Sequence, residues 1–248
     1  MVIALVNSKG GVGKTTSAVY LAAALAAPRR RVLLVDLDSQ ASASHWCGVS
    51  RNQLRPSAAS VLLEKYPILK AIRHTRAPHL DLLTASRELA NADVALAAVR
   101  GRESGLRRML ERVHEHYEVI VIDCPPGLSL LVINAIVAAD GLIVPVSPEP
   151  LAAEALGALL ASIERVRQRM QVGSRVLGVL LTQVDPRRAL NREAVDRIRA
   201  EYRDEMFHTE IRWSAAIAAA PESRCPPPAA DAYRRLAGEV LHRTAQRD

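Results

Sequence analysis

The chain has 248 residues, 49% of them apolar and 24% charged, a globular composition that excludes a disordered or fibrous polypeptide. With one Phe, two Trp and five Tyr, its core has to be aliphatic, and stacking platforms for single-stranded nucleic acid are not expected. A formal net charge of +7 admits nucleic acid, an anionic membrane surface or an acidic partner and selects none of them.

In chain order, Val2 to Val6 reads as a buried strand, followed by a Gly-rich turn and a helix from Lys14 to Ala27. That helix mimics a signal peptide, but the strand and turn before it argue against one. Arg31 to Val35 is the next expected strand. Ser39 to His79 is the least regular region, because Pro56, Pro67 and Pro78 interrupt short helical stretches. Strands are then expected at Leu80 to Leu83, Glu118 to Ile122, Gly141 to Val146 and Arg175 to Leu181. Helices are expected at Ser104 to His116, Leu128 to Ala139, Leu151 to Met170 and Leu190 to Tyr202, from apolar residues spaced three and four apart. Asp140-Gly141 divides the longest apolar stretch into a helix-sized and a strand-sized part, so no transmembrane segment is expected. Ala219 to Ala230, with Pro221 and Pro226 to Pro228, is irregular, and a terminal helix runs from about Asp231 to Arg243.

Continuous apolar strands alternating with helices predict an α/β fold, a doubly wound, mostly parallel sheet with helices on both faces. No linker, repeat or low-complexity tract divides the chain, so residues 1–248 are read as one domain. Cys47, Cys124 and Cys225 are odd in number, widely spaced and without a CxxC pair, which suits a reducing cytoplasm and argues against a metal cluster within the chain.

In such sheets ligands sit beyond the carboxyl ends of the strands. Directly after the first strand come Asn7, Ser8, Lys9, Gly10, Gly11, Val12, Gly13, Lys14, Thr15 and Thr16, then the helix. Glycines allow backbone N–H groups to turn onto phosphate oxygens, and the helix N-terminus adds its positive dipole end. Lys14 can reach the β and γ phosphates and Thr15 can hold Mg2+. The second strand runs into Asp36-Leu37-Asp38-Ser39-Gln40, and the strand ending at Ile122 into Asp123-Cys124-Pro125-Pro126-Gly127. Carboxylates there can order magnesium-bound water and orient an attacking water, most of what phosphoryl transfer asks of side chains.

Lys9 is the sharper clue, five residues ahead of Lys14 in a chain with only four lysines, the others being Lys65 and Lys70. Lys-Gly-Gly-Val-Gly-Lys-Thr-Thr resembles the deviant Walker A motif of the ParA/MinD family of P-loop ATPases. The resemblance extends through Pro145 to Pro150, Val179 to Asp185 and Thr209 to Pro221, and so over essentially the whole chain. It is most similar to the short, Soj-type ParA partition proteins, since no operator-binding domain precedes the loop.

The resemblance implies an ATPase with ATP and Mg2+ as cofactors, Lys9, Lys14 and Asp38 as catalytic residues, and Thr15 and Asp123 at the metal. The loop from Lys9 to Thr16, with Asp36 and Asp123, would contact the nucleotide, Asp36 more as support for the switch. Lys9 would reach the phosphates of a second subunit, implying an ATP-dependent homodimer. It further implies a cytoplasmic, nucleoid-associated protein that binds nonspecific double-stranded DNA and is released when a ParB-like or other adaptor stimulates slow hydrolysis.

Arg187, Arg188, Arg192 and Arg212 are the DNA-binding candidates, and Arg165, Arg167, Arg169, Arg175, Arg197, Arg199 and Arg203 could extend them into one basic face. Two departures stand out. Ser39 replaces a family Pro after Asp38, and Ala216 replaces a family Arg that helps bind DNA. A MinD-like membrane-surface role would need bulky apolar residues that the tail from Leu236 to Asp248 is short of. A metabolic or metallocluster-carrier ATPase is the other alternative, disfavoured because no cluster-forming cysteine set is visible.

Overall fold

The computed structural model describes residues 1–26, 30–214 and 231–245. Seven strands form one sheet: β1 (Val2–Leu5), β2 (Val32–Asp36), β3 (Arg73–His74), β4 (Leu80–Leu83), β5 (Val119–Asp123), β6 (Gly141–Val146) and β7 (Arg175–Leu181), in the order β3-β4-β2-β5-β1-β6-β7. All neighbours are parallel except β3 and β4, which pair through Arg73↔Leu82 and His74↔Asp81. The expected α/β class and the six expected strands are therefore present. The two-residue edge strand β3 escaped the sequence, because its Arg-His pair has no apolar pattern to read.

Strand alternation sorts the apolar side chains into two layers. Ala4, Leu33, Val35, Ile120 and Ile122 face one way, under α3 (Ala58–Glu64), α5 (Ala92–Ala95), α6 (Gly105–Leu110), α7 (Leu130–Ala138), α8 (Ala152–Met170) and α9 (Ala189–Glu201). Ile3, Leu5, Val32, Leu34 and Val121 face the other way, under α1 (Lys14–Leu25), α2 (Ser42–Trp46) and α10 (Asp231–Ala245). Both faces of β2 are thus covered and all five of its residues are buried. Each Leu or Val so enclosed contributes roughly 1.5–3 kcal/mol of transfer free energy.

With so few aromatics, the cluster of Tyr20, Trp46 and Tyr233 is a local feature. Tyr20 stacks on Tyr233 at 5.0 Å between ring centroids, and the Tyr233 hydroxyl lies 3.1 Å from Ser17 Oγ, tying α10 to α1.

The helix expected from Ser104 to His116 is shorter. It is α only from Gly105 to Leu110, after a 3₁₀ turn at Arg102–Ser104. Beyond it the chain tightens into three-residue turns, with Val113 N–H donating to Leu110 O and His116 N–H to Val113 O. The irregular region holds the short helix α2 ahead of Pro56, and α3 and α4 (Ile68–Ala71) between its prolines. The Ala219 to Ala230 stretch and Cys225 lie outside the described residues, as does Ala27.

β1 lies between β5 and β6, while the chain leaves β1 for β2 on the far side of β5. That reversal opens a crevice at the carboxyl end of β1. The Gly-rich loop emerges there, flanked by the carboxyl ends of β2 and β5.

Candidate nucleotide-binding site

The loop leaves β1 through Asn7, a buried residue whose Nδ2 donates to Pro145 O at 2.6 Å and whose Oδ1 accepts the Lys9 N–H at 2.8 Å. Gly11 and Gly13 have φ of +75° and +81°, a left-handed conformation that only glycine adopts cheaply. From the end of β7, Gln183 Nε2 donates to Gly11 O at 2.6 Å and Thr182 Oγ1 to Val12 O at 2.8 Å. In a trans peptide the following N–H points opposite to the carbonyl. The Val12 and Gly13 N–H groups therefore face away from β7, toward the open side of the loop, where a Cβ on Gly10 or Gly11 would meet nothing within 4 Å. Such an array of N–H groups at the start of α1 is suited to an anion.

Lys14, the first residue of α1, is buried, and its Nζ donates to Lys9 O at 2.8 Å. Burial lowers its pKa, opposed by the neighbouring acidic groups, Asp123 first and Asp38 with it. Lys9 is different. Its side chain is 53% exposed and pairs across the loop with Glu149 at 2.5 Å. The two lysines thus share one loop while facing different surroundings, one enclosed and one at the surface.

Asp36 and Asp123 are directly opposite in the β2–β5 register and both fully buried. Asp36 is spent on its own segment. Its Oδ2 accepts Ser44 N–H and Oγ–H at 2.9 and 2.7 Å, and its Oδ1 accepts Asp38 N–H at 3.1 Å. Burial pushes its carboxyl up to about 6, restrained by the Ser44 hydrogen bonds. Asp36 therefore anchors the turn after β2, with both of its oxygens engaged there. Asp38, partly exposed, accepts the Gln40 N–H at 3.0 Å through Oδ1.

Asp123 is the unusual group. Neither of its buried oxygens has a well-formed hydrogen bond among the described residues, although the Thr15 hydroxyl is close enough to draw its pKa down. Burial and the Asp36 charge outweigh Thr15 and Lys14, and its carboxyl is held well above the usual range. Two orphaned buried oxygens beside a Thr hydroxyl are the deficit that a hydrated Mg2+ fills. No group of three His, Cys, Asp or Glu that could cage a metal occurs among the described residues. That fits Mg2+, which keeps its waters and binds through one or two protein groups plus phosphates.

After Asp123, the Gly127 N–H donates to Ser8 O at 3.0 Å, joining the turn after β5 to the phosphate loop. Cys124 is buried, as expected for a packing residue, and burial raises its thiol pKa. Beside the loop, Gln183, Asp185, Pro148, Trp213, Arg187 and Arg188 line a cavity of about 610 Å³. Val184 and Trp213 are joined by the Trp213 N–H to Val184 O bond at 3.0 Å.

The arginines divide among several partners and two cavities. Arg187 forks onto Asp185 at 2.8 and 3.0 Å beside Arg188, and Arg192 donates to Pro186 O at 2.7 Å, so these three stay together. Arg212 and Arg199 both pair with Glu210, and Arg197 pairs with Glu154. Arg165 and Arg169 border a separate cavity with Arg102, and half-buried Arg175 donates to Arg243 O. Ala216 lies outside the described residues.

Asn7, Glu149, Thr182, Gln183 and Trp213 all lie within the motif stretches named above, where nothing local in the sequence marks their roles. The available signal was their place, since Asn7, Thr182 and Gln183 follow strand ends and Glu149 follows β6 closely.

A glycine loop held open in this way, at the point where strand order reverses, defines the P-loop class of nucleotide-binding proteins. Comparison with known proteins agrees. Residues 1–175 match the AAA domain family. The sporulation initiation inhibitor protein Soj of Bacillus subtilis is 37% identical over 89% of this chain and 87% of its own. The chromosome partitioning protein ParA of Caulobacter vibrioides is 36% identical over 99% and 96%. A crystal structure of cobyrinic acid a,c-diamide synthase from Mycobacterium smegmatis, with bound ADP and magnesium, superposes with a TM-score of 0.86 at 33% identity, covering 98% of this chain and 95% of that one. The chain belongs to the ParA/Soj family of P-loop ATPases.

Proposed function

We propose that this protein is an ATP-switched positioning ATPase of the DNA-partition kind. The observation that carries the reading is the pair of lysines on one loop, Lys14 enclosed at the head of α1 and Lys9 at the surface on an exposed ion pair. ATP phosphates lie on the Val12 and Gly13 N–H groups and on Lys14. Thr15 and Asp123 hold Mg2+, which when bound neutralises phosphate charge. Asp38 orients the attacking water, and Asp36 fixes the turn that carries Asp38.

Lys9 exchanges Glu149 for the phosphates of a partner subunit, so that nucleotide occupancy drives homodimer formation. Because Lys9–Glu149 is half exposed, the exchange costs little, about 0–1 kcal/mol. The Gly127–Ser8 bond carries the state of the phosphate loop to the turn after β5, and a ParB-like adaptor acts on this switch to stimulate hydrolysis. The dimer binds nonspecific double-stranded DNA through the Arg187, Arg188 and Arg192 group, with Arg212 a separate contributor, in a cytoplasmic, nucleoid-associated cycle.

Membrane anchoring is not supported by α10, which spends its apolar residues Tyr233, Leu236, Ala237 and Val240 against the sheet and α1. Among the described residues no helix is long and apolar enough to cross a membrane.

The test is fluorescence anisotropy with duplex DNA of arbitrary sequence. ATP-dependent binding is expected to fall steeply with salt, as counterion release requires. Exchanging Arg187 and Arg188 for Ala is expected to weaken it without changing ATP affinity. No ATP-dependent binding at low salt would refute the DNA part of the reading.

A further inference from the structure

We infer that the groove between α7 and the second half of α8 docks an acidic, apolar segment of a partner protein. Helix α8 carries two stripes. Ala153, Leu156, Leu159 and Ile163 enter the core. Ser162, Arg165, Val166, Arg169 and Met170 recur at three- and four-residue spacing on another face and line a cavity of about 620 Å³ opposite the start of α7. A helix with a second ordered stripe has a second surface to satisfy.

The floor of the groove is apolar, built by Leu128, Ile133, Val166 and Met170. Its rim carries three arginines, Arg102, Arg165 and Arg169, against two acids. Asp93 Oδ1 accepts the Leu130 N–H at 3.2 Å, and Glu103 pairs with Arg102 Nε at 3.3 Å, so neither carboxylate is paired with Arg165 or Arg169. Arg165 and Arg169 are exposed, one helical turn apart, and neither has a carboxylate within ion-pairing distance among the described residues. Arg165 donates only to Ser162 Oγ, at 2.9 Å. In its wall, the buried Ser129 Oγ has no hydrogen-bond partner among the described residues.

The complement of this surface is a segment with carboxylates one turn apart beside apolar side chains. A nucleic acid backbone would match the arginines but leave the apolar floor uncovered, since its contacts are polar and charged. Leu128, 38% exposed, directly follows Gly127, whose N–H is bonded to Ser8 of the phosphate loop. A segment pressing on Leu128 therefore acts one residue from the switch turn. This coupling, unlike the docking itself, rests on the ATPase reading above.

The test is selection of a random peptide library on phage against the full chain, followed by affinity measurement with the selected peptides. Enrichment of sequences combining Asp or Glu with Leu, Ile or Phe is expected. Their affinity should drop about tenfold or more in an Arg165→Glu, Arg169→Glu double variant and less in the Arg165→Gln, Arg169→Gln variant, with basal ATP hydrolysis unchanged. Enrichment of basic sequences, or equal affinity for all three chains, would overturn the inference. So would loss of duplex DNA binding in the charge-reversed chain with peptide affinity intact. A chain that hydrolyses no ATP but binds acidic peptides in this pattern would leave the groove standing and remove only its coupling.

Discussion

Replacing Asp123 by Asn tests whether its carboxylate is reserved for a cation. Asp36 and Asp123 stand opposite each other on adjacent parallel strands, which lie about 4.8 Å apart, and both are fully buried. Two carboxylates about 5 Å apart at an effective dielectric constant of about 20 repel by roughly 3 kcal/mol. Lys14 offsets part of this, yet the raised carboxyl of Asp123 shows that burial and repulsion prevail. The neutral amide is therefore expected to stabilise the nucleotide-free chain by about 1–3 kcal/mol at pH 7.5. At about 2–4 °C per kcal/mol for a chain of this size, Tm rises by roughly 2–12 °C. With Mg-ATP at about one hundred times Kd, the parent should gain about 2.7 kcal/mol by linkage, and the variant most of this only without its magnesium dependence. Thermal unfolding with and without Mg-ATP measures both effects. An Asp123→Asn chain less stable than the parent without nucleotide, yet retaining the full magnesium-dependent gain, would refute the reasoning.

The pH dependence follows from Asp36. Its folded carboxyl, pushed up to about 6, holds a proton more tightly than the unfolded one. The cost of ionising it is absent below the ordinary carboxylate range, grows as pH rises toward 6, and is complete above 6. Ser44→Ala removes a donor to the ionised form and also the acceptor of the Ala85 N–H. Its loss of about 1–3 kcal/mol should be largest at pH 7–8 and shrink below pH 6 in urea unfolding, and a pH-independent loss would contradict this. Thr182→Val leaves the buried Val12 carbonyl unpaired, so about 1–3 kcal/mol of stability and about five- to tenfold in ATP affinity should be lost by calorimetry. A fall in Tm with unchanged ATP affinity would make Thr182 a packing residue only.

The sheet and the phosphate loop were legible in the sequence because their signals are local. Val32 to Val35 is an unbroken apolar run that needs cover on both faces, and Lys9 to Thr16 compresses a loop, its lysines and a helix start into eight residues. What fixes the loop in place was not legible. Gln183 and Thr182 reach Gly11 and Val12 from 172 and 170 residues away, and Glu149 meets Lys9 across 140. No spacing rule spans such distances, which depend on how β7 and β6 sit beside β1. The arginines illustrate the same limit. Arg165 and Arg187 read alike in sequence, but α8 and the turn after β7 carry them to different cavities. Asp36 and Asp38 are told apart in the sequence by the family resemblance alone, and the physical difference between them, the Ser44 donors to Asp36, comes from a residue eight positions on.

The central claim is that ATP joins two copies of this chain through Lys9. Light scattering after gel filtration of the Asp38→Ala chain, in which hydrolysis is expected to be blocked, tests it most directly. A dimer with ATP and a monomer with ADP are predicted, and a monomer with ATP once Lys9→Ala is added, with nucleotide still bound. A chain that stays monomeric with ATP, or that dimerises equally well without Lys9, would contradict the account.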